Sequence, residues 1–338
     1  MSQPAPQVDL QHIWGIMTGF QHSAALKAAI ELEVFTKIGE GKKTAAEIAA
    51  ATGSAERGIR ILADTLSVLG LLSKAGNEYS LAPDSAFFLD KSSPAYLGSA
   101  VDFIMGPTQM RGIHDLTNAV RKGGTTVTGD GSVDPNSPMW ETFARAMAPL
   151  VFPAAQALAA NLGIPNDTPI KVLDIAAGHG VFGIMVAKTY PNAEINAVDW
   201  ANVLTVATEN AQKFGVADRH HLIPGSAFDV EFGTDYDVVL VPNFLHHFDA
   251  ETCTQFMKKV NAALKPDGKA VTVEFIPNED RVSPPAEALF SLIMLAATPG
   301  GDAYTWAELE KMMTDAGFAQ NQHIPLTPMP MHLVVSSK

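Results

Sequence analysis

The chain has 338 residues, 47% of them hydrophobic and 17% charged, enough for one large core or for two domains. Its formal net charge of -13 argues against broad affinity for nucleic acid or for an anionic membrane surface. A single cysteine, Cys253, excludes an intrachain disulfide and a cysteine-based metal cluster within one subunit. No basic region followed by an apolar core opens the chain, and no uninterrupted apolar run of about 18 residues occurs. The expectation is a cytoplasmic protein with no membrane partner and no nucleic-acid partner.

From residue 11 to about 90 the pattern is helical. Gln21 to Phe35 sets Ala24, Leu26, Ala29, Ile30, Leu32 and Phe35 on one broad apolar face. Thr44-Ala45-Ala46-Glu47 reads as a capping box opening a short helix through Ala51. Ser54-Ala55-Glu56-Arg57 opens a longer helix with Ser54 as candidate cap, and Ile59, Leu62, Leu66 and Leu71 supply its apolar side. Gly70 then permits a turn into a polar hairpin around residues 74–79. Three helices and a small β wing make a winged helix. A DNA reader would carry basic and amide side chains on the second helix of the pair. This one carries Glu56, Arg57, Arg60 and Asp64, acid balanced by base. The apolar segment Ile13 to Phe20, with Trp14 and Met17, favours pairing with a second copy, and burial within the chain competes with that reading.

Residues 100–160 are again mostly helical, with a loop from Gly123 through Pro138. The loop leads into Met139, Trp140, Phe143 and Met147, large adaptable side chains suited to an aromatic substrate pocket. At helical spacing the same residues also read as plain core.

After Pro165 strands alternate with helices. Strands are predicted at 170–175, 193–199, 219–224, 236–242 and 268–276, the last entered by a turn at Pro266-Asp267-Gly268. Helices are predicted near 181–190, 201–214, 251–264 and 305–316, and late strands at 318–324 and 330–336 suggest an antiparallel edge. The result is an α/β, Rossmann-like, doubly wound sheet that is largely parallel.

Two strand ends carry the chemistry. Lys171-Val172-Leu173-Asp174-Ile175-Ala176-Ala177-Gly178-His179-Gly180 is an apolar strand running into a glycine turn, and the next strand ends in Asp199. The glycines admit a ligand close to the backbone, and Asp199 can accept hydrogen bonds from a ribose diol. The spacing is not a dinucleotide fingerprint. It suits a cofactor with one nucleoside and no pyrophosphate, and S-adenosylmethionine fits, with Asp174 near its charged end. Further on, Tyr236 to Val241 runs into Asn243-Phe244-Leu245-His246-His247-Phe248-Asp249, and the following strand ends in Glu274. His246 or His247 could remove a hydroxyl proton near neutral pH, with Glu274 orienting the ring. Adjacent histidines on irregular backbone usually point apart, which argues against metal binding.

In these motifs the chain resembles the S-adenosylmethionine-dependent O-methyltransferases that include the plant caffeate, acetylserotonin and bacterial polyketide-tailoring enzymes. The likeness covers nearly the whole chain. It implies a winged-helix dimerisation domain at 1–98, then a helical pocket-forming linker and a methyltransferase domain over 99–338, with the Rossmann-like core from about 165. The family's Asp-x-Gly-x-Gly-x-Gly falls on Asp174 to Gly180, so that Ala176 replaces the first glycine. Its ribose acid falls on Asp199, its His-Asp-Trp on His246-His247-Phe248 and its first supporting Glu on Glu274. The implied cofactor site comprises Asp174, Ala176, Gly178, Gly180, Asp199, Trp200, Ser226, Ala227, Phe228 and Asn243. The implied acceptor site comprises Met139, Trp140, Phe143, Met147, His247 and Asp302, with no metal.

The departures are specific. Ser226 stands where an acid near the adenine is common, with Asp229 as a candidate substitute. Ala303 stands where a second active-site Glu is usual, with Asp302 beside it. The resemblance implies a homodimer that methylates a hydroxyl of a small aromatic or conjugated metabolite, with His246 as base. Competing readings are C-methylation, a hydroxylating or decarboxylating relative that keeps the cofactor, and a ligand-sensing or DNA-binding winged-helix protein.

Overall fold

A computed structural model describes residues 8–127 and 139–338; the second half of the predicted 123–138 loop lies outside the described residues. The chain divides into two compact units between Val101 and Asp102, where the sequence suggests a boundary after 98.

In the first unit α1 (Leu10–Glu31) starts from Asp9, whose carboxylate accepts the Gln11 amide at 2.8 Å. Glu33 takes a left-handed backbone (φ 56°) and breaks the apolar run predicted over 21–35. A short extra helix, α2 (Val34–Gly39), follows, so helices outnumber the three expected. α3 (Ala45–Thr52) has the predicted capping box, Thr44 and Glu47 each bonding the other's backbone amide. α4 (Glu56–Val68) is capped at Ala55 and not at Ser54, whose hydroxyl instead meets Thr52. β1 (Leu72–Ala75) and β2 (Glu78–Leu81) form the antiparallel wing. Asp64 ties it to α4 by accepting from Lys74 Nζ at 2.6 Å and from the Tyr79 hydroxyl at 2.7 Å. Ile13, Trp14, Met17 and Phe20 are 53–69% exposed, so the alternative of burial within the chain fails for this stretch.

Short helices α5 (Pro83–Phe88), α6 (Ala100–Ile104), α7 (Pro107–His114) and α8 (Leu116–Lys122) follow the wing in chain order. The second unit is organised by a seven-stranded sheet. Its strands are β3 (Ile170–Ile175), β4 (Ala193–Asp199), β5 (His220–Pro224), β6 (Tyr236–Pro242), β7 (Leu264–Glu274), β8 (Gln320–Pro325) and β9 (His332–Ser337). The order is β5-β4-β3-β6-β7-β9-β8, the first five parallel and the last two antiparallel to their neighbours. Strand order reverses between β3 and β6, the place where such sheets open a crevice for ligands. Alternation drives the layering: Val172, Ile195, Val238 and Val271 join one apolar cluster, Leu173, Val198, Val239 and Ala270 the other. On the first face lie α9 (Met139–Ala160) and α10 (Val181–Thr189); on the second lie α12 (Ala250–Ala263) and α14 (Trp306–Asp315). α9 is long and apolar enough to cross a bilayer, but Val151, Ala154, Ala155, Leu158 and Ala159 are buried in the sheet's own core.

Two local expectations change. Pro266-Asp267-Gly268 is not a turn before β7 but an irregularity inside it, where the register against β6 shifts between Tyr236–Leu264 and Val238–Lys269. Gly268 fits there because a Cβ would lie 2.8 Å from Tyr236 O. A further helix, α13 (Pro285–Ala297), occupies an apolar run to which the sequence reading assigned no element.

Gly183, inside α10, sits where a Cβ would come 2.7 Å from both Asp174 Oδ2 and Ile195 Cγ2. Gly183→Ala should therefore lower the unfolding free energy by about 1–3 kcal/mol, read by urea titration.

Candidate active site

The glycine turn leaves β3 through three left-handed residues: Ala176 (φ 51°), Gly178 (φ 58°) and Gly180 (φ 73°). Ala176 keeps the conformation that glycine normally supplies, at a steric cost its methyl makes tolerable. Gly180 caps α10 and packs closely on α11 (Ala201–Phe214), since a Cβ there would fall 3.0 Å from that of Ala207. The Gly178 amide donates to Asp199 Oδ2 at 2.8 Å and the Trp200 amide to Asp199 Oδ1 at 2.7 Å. Asp199 is thereby fixed at the end of β4 while its remaining lone pairs can still accept hydroxyl hydrogens. Burial pushes its pKa up to about 6, against the pull of those two amides. In the turn, His179 Nδ1 accepts the Val181 amide at 3.1 Å, and burial pushes the ring down to about 4, so it is neutral.

Asp174 anchors the start of α10. It is fully buried and its Oδ2 accepts the Gly183 amide at 2.9 Å, pinning α10 to β3. None of its surface is open, and its buried Oδ1 has no protein donor among the described residues.

Past β5, Ser226 is a turn residue, its Oγ accepting the Phe228 amide at 3.2 Å. Ala227 is buried beside it. Phe228 is 40% exposed and packs on Phe244, Phe248 and Phe256. Asp229 is exposed. At the end of β6, Asn243 is left-handed (φ 51°), and its buried Oδ1 has no protein donor among the described residues. An acceptor left bare inside a protein is costly unless a ligand donor meets it. A bare glycine backbone, an anchored carboxylate with free lone pairs and an orphan amide oxygen together fit an adenosine-bearing cofactor.

His246 lies in a short 3-10 turn, Leu245–His247. Its Nδ1 is 2.6 Å from Glu274 Oε2, and a carboxylate only accepts, so Nδ1 carries the proton. Nε2 is then left as the proton-accepting nitrogen of the neutral ring. Glu274 Oε1 accepts the amides of Leu245 at 2.9 Å and Phe244 at 3.2 Å. The imidazole edge packs on Phe290 of α13 at 4.9 Å between centroids, and Phe275 stacks on Phe290 at 4.0 Å. His247 makes an edge-to-face contact with Trp140 at 5.5 Å, and burial, then the neighbouring His246, holds its pKa well below the usual value.

Trp140 also meets Phe143, which packs on Phe103 and stacks over His179, so these two predicted acceptor residues span both strand ends. Met139 is buried and Met147 half-buried, and their placement alone gives neither a role in the site. Asp302 is committed elsewhere: Oδ2 accepts Arg281 Nη1 at 3.0 Å and Oδ1 the Ala303 amide at 2.8 Å. It does not take the place of a second carboxylate at His246, and Ala303 is wholly buried. Phe103 and Phe290 were absent from the sequence reading; an aromatic in an otherwise aliphatic stretch was their only signal.

Residues 167–319 match the O-methyltransferase domain model and residues 14–91 the O-methyltransferase dimerisation domain model. A crystal structure from Nostoc punctiforme, of a protein assigned as an O-methyltransferase, is 47% identical with a TM-score of 0.94, over 98% of this chain and all of that one. The mitomycin biosynthesis 6-O-methyltransferase of Streptomyces lavendulae is 26% identical over 94% of this chain and 92% of its own. Human N-acetylserotonin methyltransferase, solved with S-adenosylmethionine, shares the fold at a TM-score of 0.85 and 23% identity, over 100% of this chain and 99% of that one.

Burial pushes Asp174 up to about 7, while its carboxyl would titrate near 3.8 when unperturbed. Between those values the folded chain holds a proton that the unfolded chain has released. This group therefore adds stability as pH falls through about 7 and withdraws it as pH rises. Thermal melts of Asp174→Asn should improve relative to the parent as pH rises from about 4 to about 7; a constant difference contradicts the buried-acid assignment.

Proposed function

The chain belongs to the S-adenosylmethionine-dependent O-methyltransferase family, and from that premise we propose that it methylates a hydroxyl of a small aromatic or conjugated metabolite, with His246 as general base. The observation that carries the proposal is the buried His246–Glu274 pair at 2.6 Å, next to the strand-end crevice.

His246 Nε2 would receive the acceptor hydroxyl's proton, while Glu274 holds the ring in one tautomer and stabilises the imidazolium. When bound, S-adenosylmethionine supplies the electrophilic methyl that the acceptor oxygen takes, and leaves as S-adenosylhomocysteine. Asp199 is assigned to the ribose, Gly178 and Gly180 to close backbone approach, and Trp200, Ser226, Ala227 and Phe228 to the adenine side. Asn243 Oδ1 is assigned to a donor on the cofactor. Trp140, Phe143 and His247 would line the acceptor, where flat apolar walls favour an aromatic ring and a neutral His247 adds no charge. Most of the acceleration would come from alignment of the two reactants.

The dimerisation-domain match and the exposed face of α1 support a homodimer. The proposal places the enzyme in the cytoplasm, free of nucleic acid and membrane.

His246→Gln should lower turnover about 10²–10⁴-fold and leave S-adenosylhomocysteine affinity intact, because proton abstraction is lost and the nucleoside cradle is not. The same change at His247 should cost less; the reverse ranking would remove His246 as the base. Asp199→Ala should weaken S-adenosylhomocysteine by about 1–3 kcal/mol in calorimetry, and equal affinity in a folded variant contradicts the ribose assignment. Sedimentation of the Trp14→Asp, Phe20→Asp double variant should show monomer where the parent is a dimer.

A further inference from the structure

The turn that carries His246 is held on two sides, and one of them involves groups with no role in the chemistry above. On the amide side Glu274 gathers the N–H groups of Phe244 and Leu245 together with the imidazole. On the carbonyl side the Cys253 thiol donates to Leu245 O at 3.1 Å, and the Tyr304 hydroxyl donates to Phe248 O. These two carbonyls flank the histidine pair. Cys253 is fully buried and Tyr304 only 8% exposed. Burial, the first cause in both cases, raises the thiol and the phenol, so each keeps its proton and stays a donor. Gly301 closes the same side, since a Cβ there would run into the His246 carbonyl oxygen.

This arrangement compensates for what the 300–305 segment lacks. Ala303 offers no carboxylate, and that of Asp302 is taken by Arg281 and the Ala303 amide. The imidazole is therefore oriented by Glu274 while the segment acts on the backbone beneath it, through the Tyr304 phenol. Phe248, whose carbonyl is bonded, also packs on Phe228 and Phe244, so movement of this carbonyl would carry into the whole turn.

We propose that Tyr304 is a positioning residue for His246, with Cys253 as its second anchor. Together they hold the 245–248 turn so that the Nδ1–H stays on Glu274 and Nε2 stays aimed at the acceptor. The inference rests on His246 being the base, and its test separates the two claims by following the imidazole proton directly.

Protein labelled with ¹⁵N-histidine should show a low-field Nδ1 proton, assigned by its loss in His246→Gln. In Tyr304→Phe that proton should exchange with water about tenfold faster, because the hydrogen bond to Glu274 opens more often. Affinity for S-adenosylhomocysteine should be unchanged. With an accepted hydroxyaromatic, kcat should fall about 10–100-fold at constant KM, the signature of misalignment. Cys253→Ala should likewise speed this exchange and Cys253→Ser, which keeps a donor, should restore the parent rate; these variants decide the matter if Tyr304→Phe does not fold. An unchanged proton in folded Tyr304→Phe, or in both cysteine variants, overturns the proposal. Faster exchange in Tyr304→Phe combined with full turnover in His246→Gln would keep the positioning and discard the base.

Discussion

A buried carboxylate with three N–H donors aimed at it is the constraint on which the rest of the site depends. Glu274 is 3% exposed, and an ion at that depth is tolerable only when its lone pairs are met. Two backbone amides and one imidazole meet them, and all three come from three consecutive residues after β6. That geometry requires β6 and β7 to be parallel neighbours in one register, with Pro242 opposite Val273, so that the turn and the carboxylate emerge side by side. The register shift near the start of β7 sets this pairing, which makes the irregularity at Pro266-Asp267-Gly268 part of how the site is built. On its other edge β7 is paired with β9, Glu274 opposite His332, which buries the strand on both sides.

The second strand-end pair follows the same logic with a different purpose. Asp199 is also partly desolvated and also collects two backbone amides, but no side chain among the described residues donates to it. Lone pairs are left over, which suits a group meant to receive a ligand's hydroxyls. Asp174, one strand away in the same motif, is sealed against Gly183 and has become part of the scaffold. Three carboxylates at the ends of strands of one sheet thus divide into one bonded to a histidine, one with lone pairs left open and one that locks a helix. Their surroundings separate them, not their chemistry.

This separation also marks what could be read from the residues. The strands at 170–175, 193–199 and 236–242 are runs of apolar and β-branched residues bounded by turns, and they fall where that pattern puts them. Pairing of His246 with Glu274 was also legible, because adjacent parallel strands bring their ends together. Burial was not: nothing local distinguishes Asp174 from Asp199, and only the packing of Gly183 decides between them. α13 escaped because Pro285-Ala286-Glu287-Ala288-Leu289-Phe290 continues into nearly uniform apolar sequence without a clear helical stripe. Its Phe290 against His246 was hidden with it. The clamp by Cys253 and Tyr304 could not be seen either, since a thiol and a phenol acquire direction only once α12 and the 300–305 segment are packed. Ser54 shows the opposite error, a residue of the right type whose helix starts from its neighbour.

The central claim is that the His246–Glu274 pair prepares a hydroxyl oxygen to accept a methyl group from S-adenosylmethionine. The most direct measurement supplies cofactor with a deuterated methyl to the purified protein, together with a panel of hydroxylated aromatics, and locates the label in the product by NMR and mass spectrometry. The account predicts the trideuteromethyl group on an oxygen that has lost its proton, with one S-adenosylhomocysteine formed per transfer. Label on carbon or nitrogen, or cofactor consumed without methyl transfer, would contradict it.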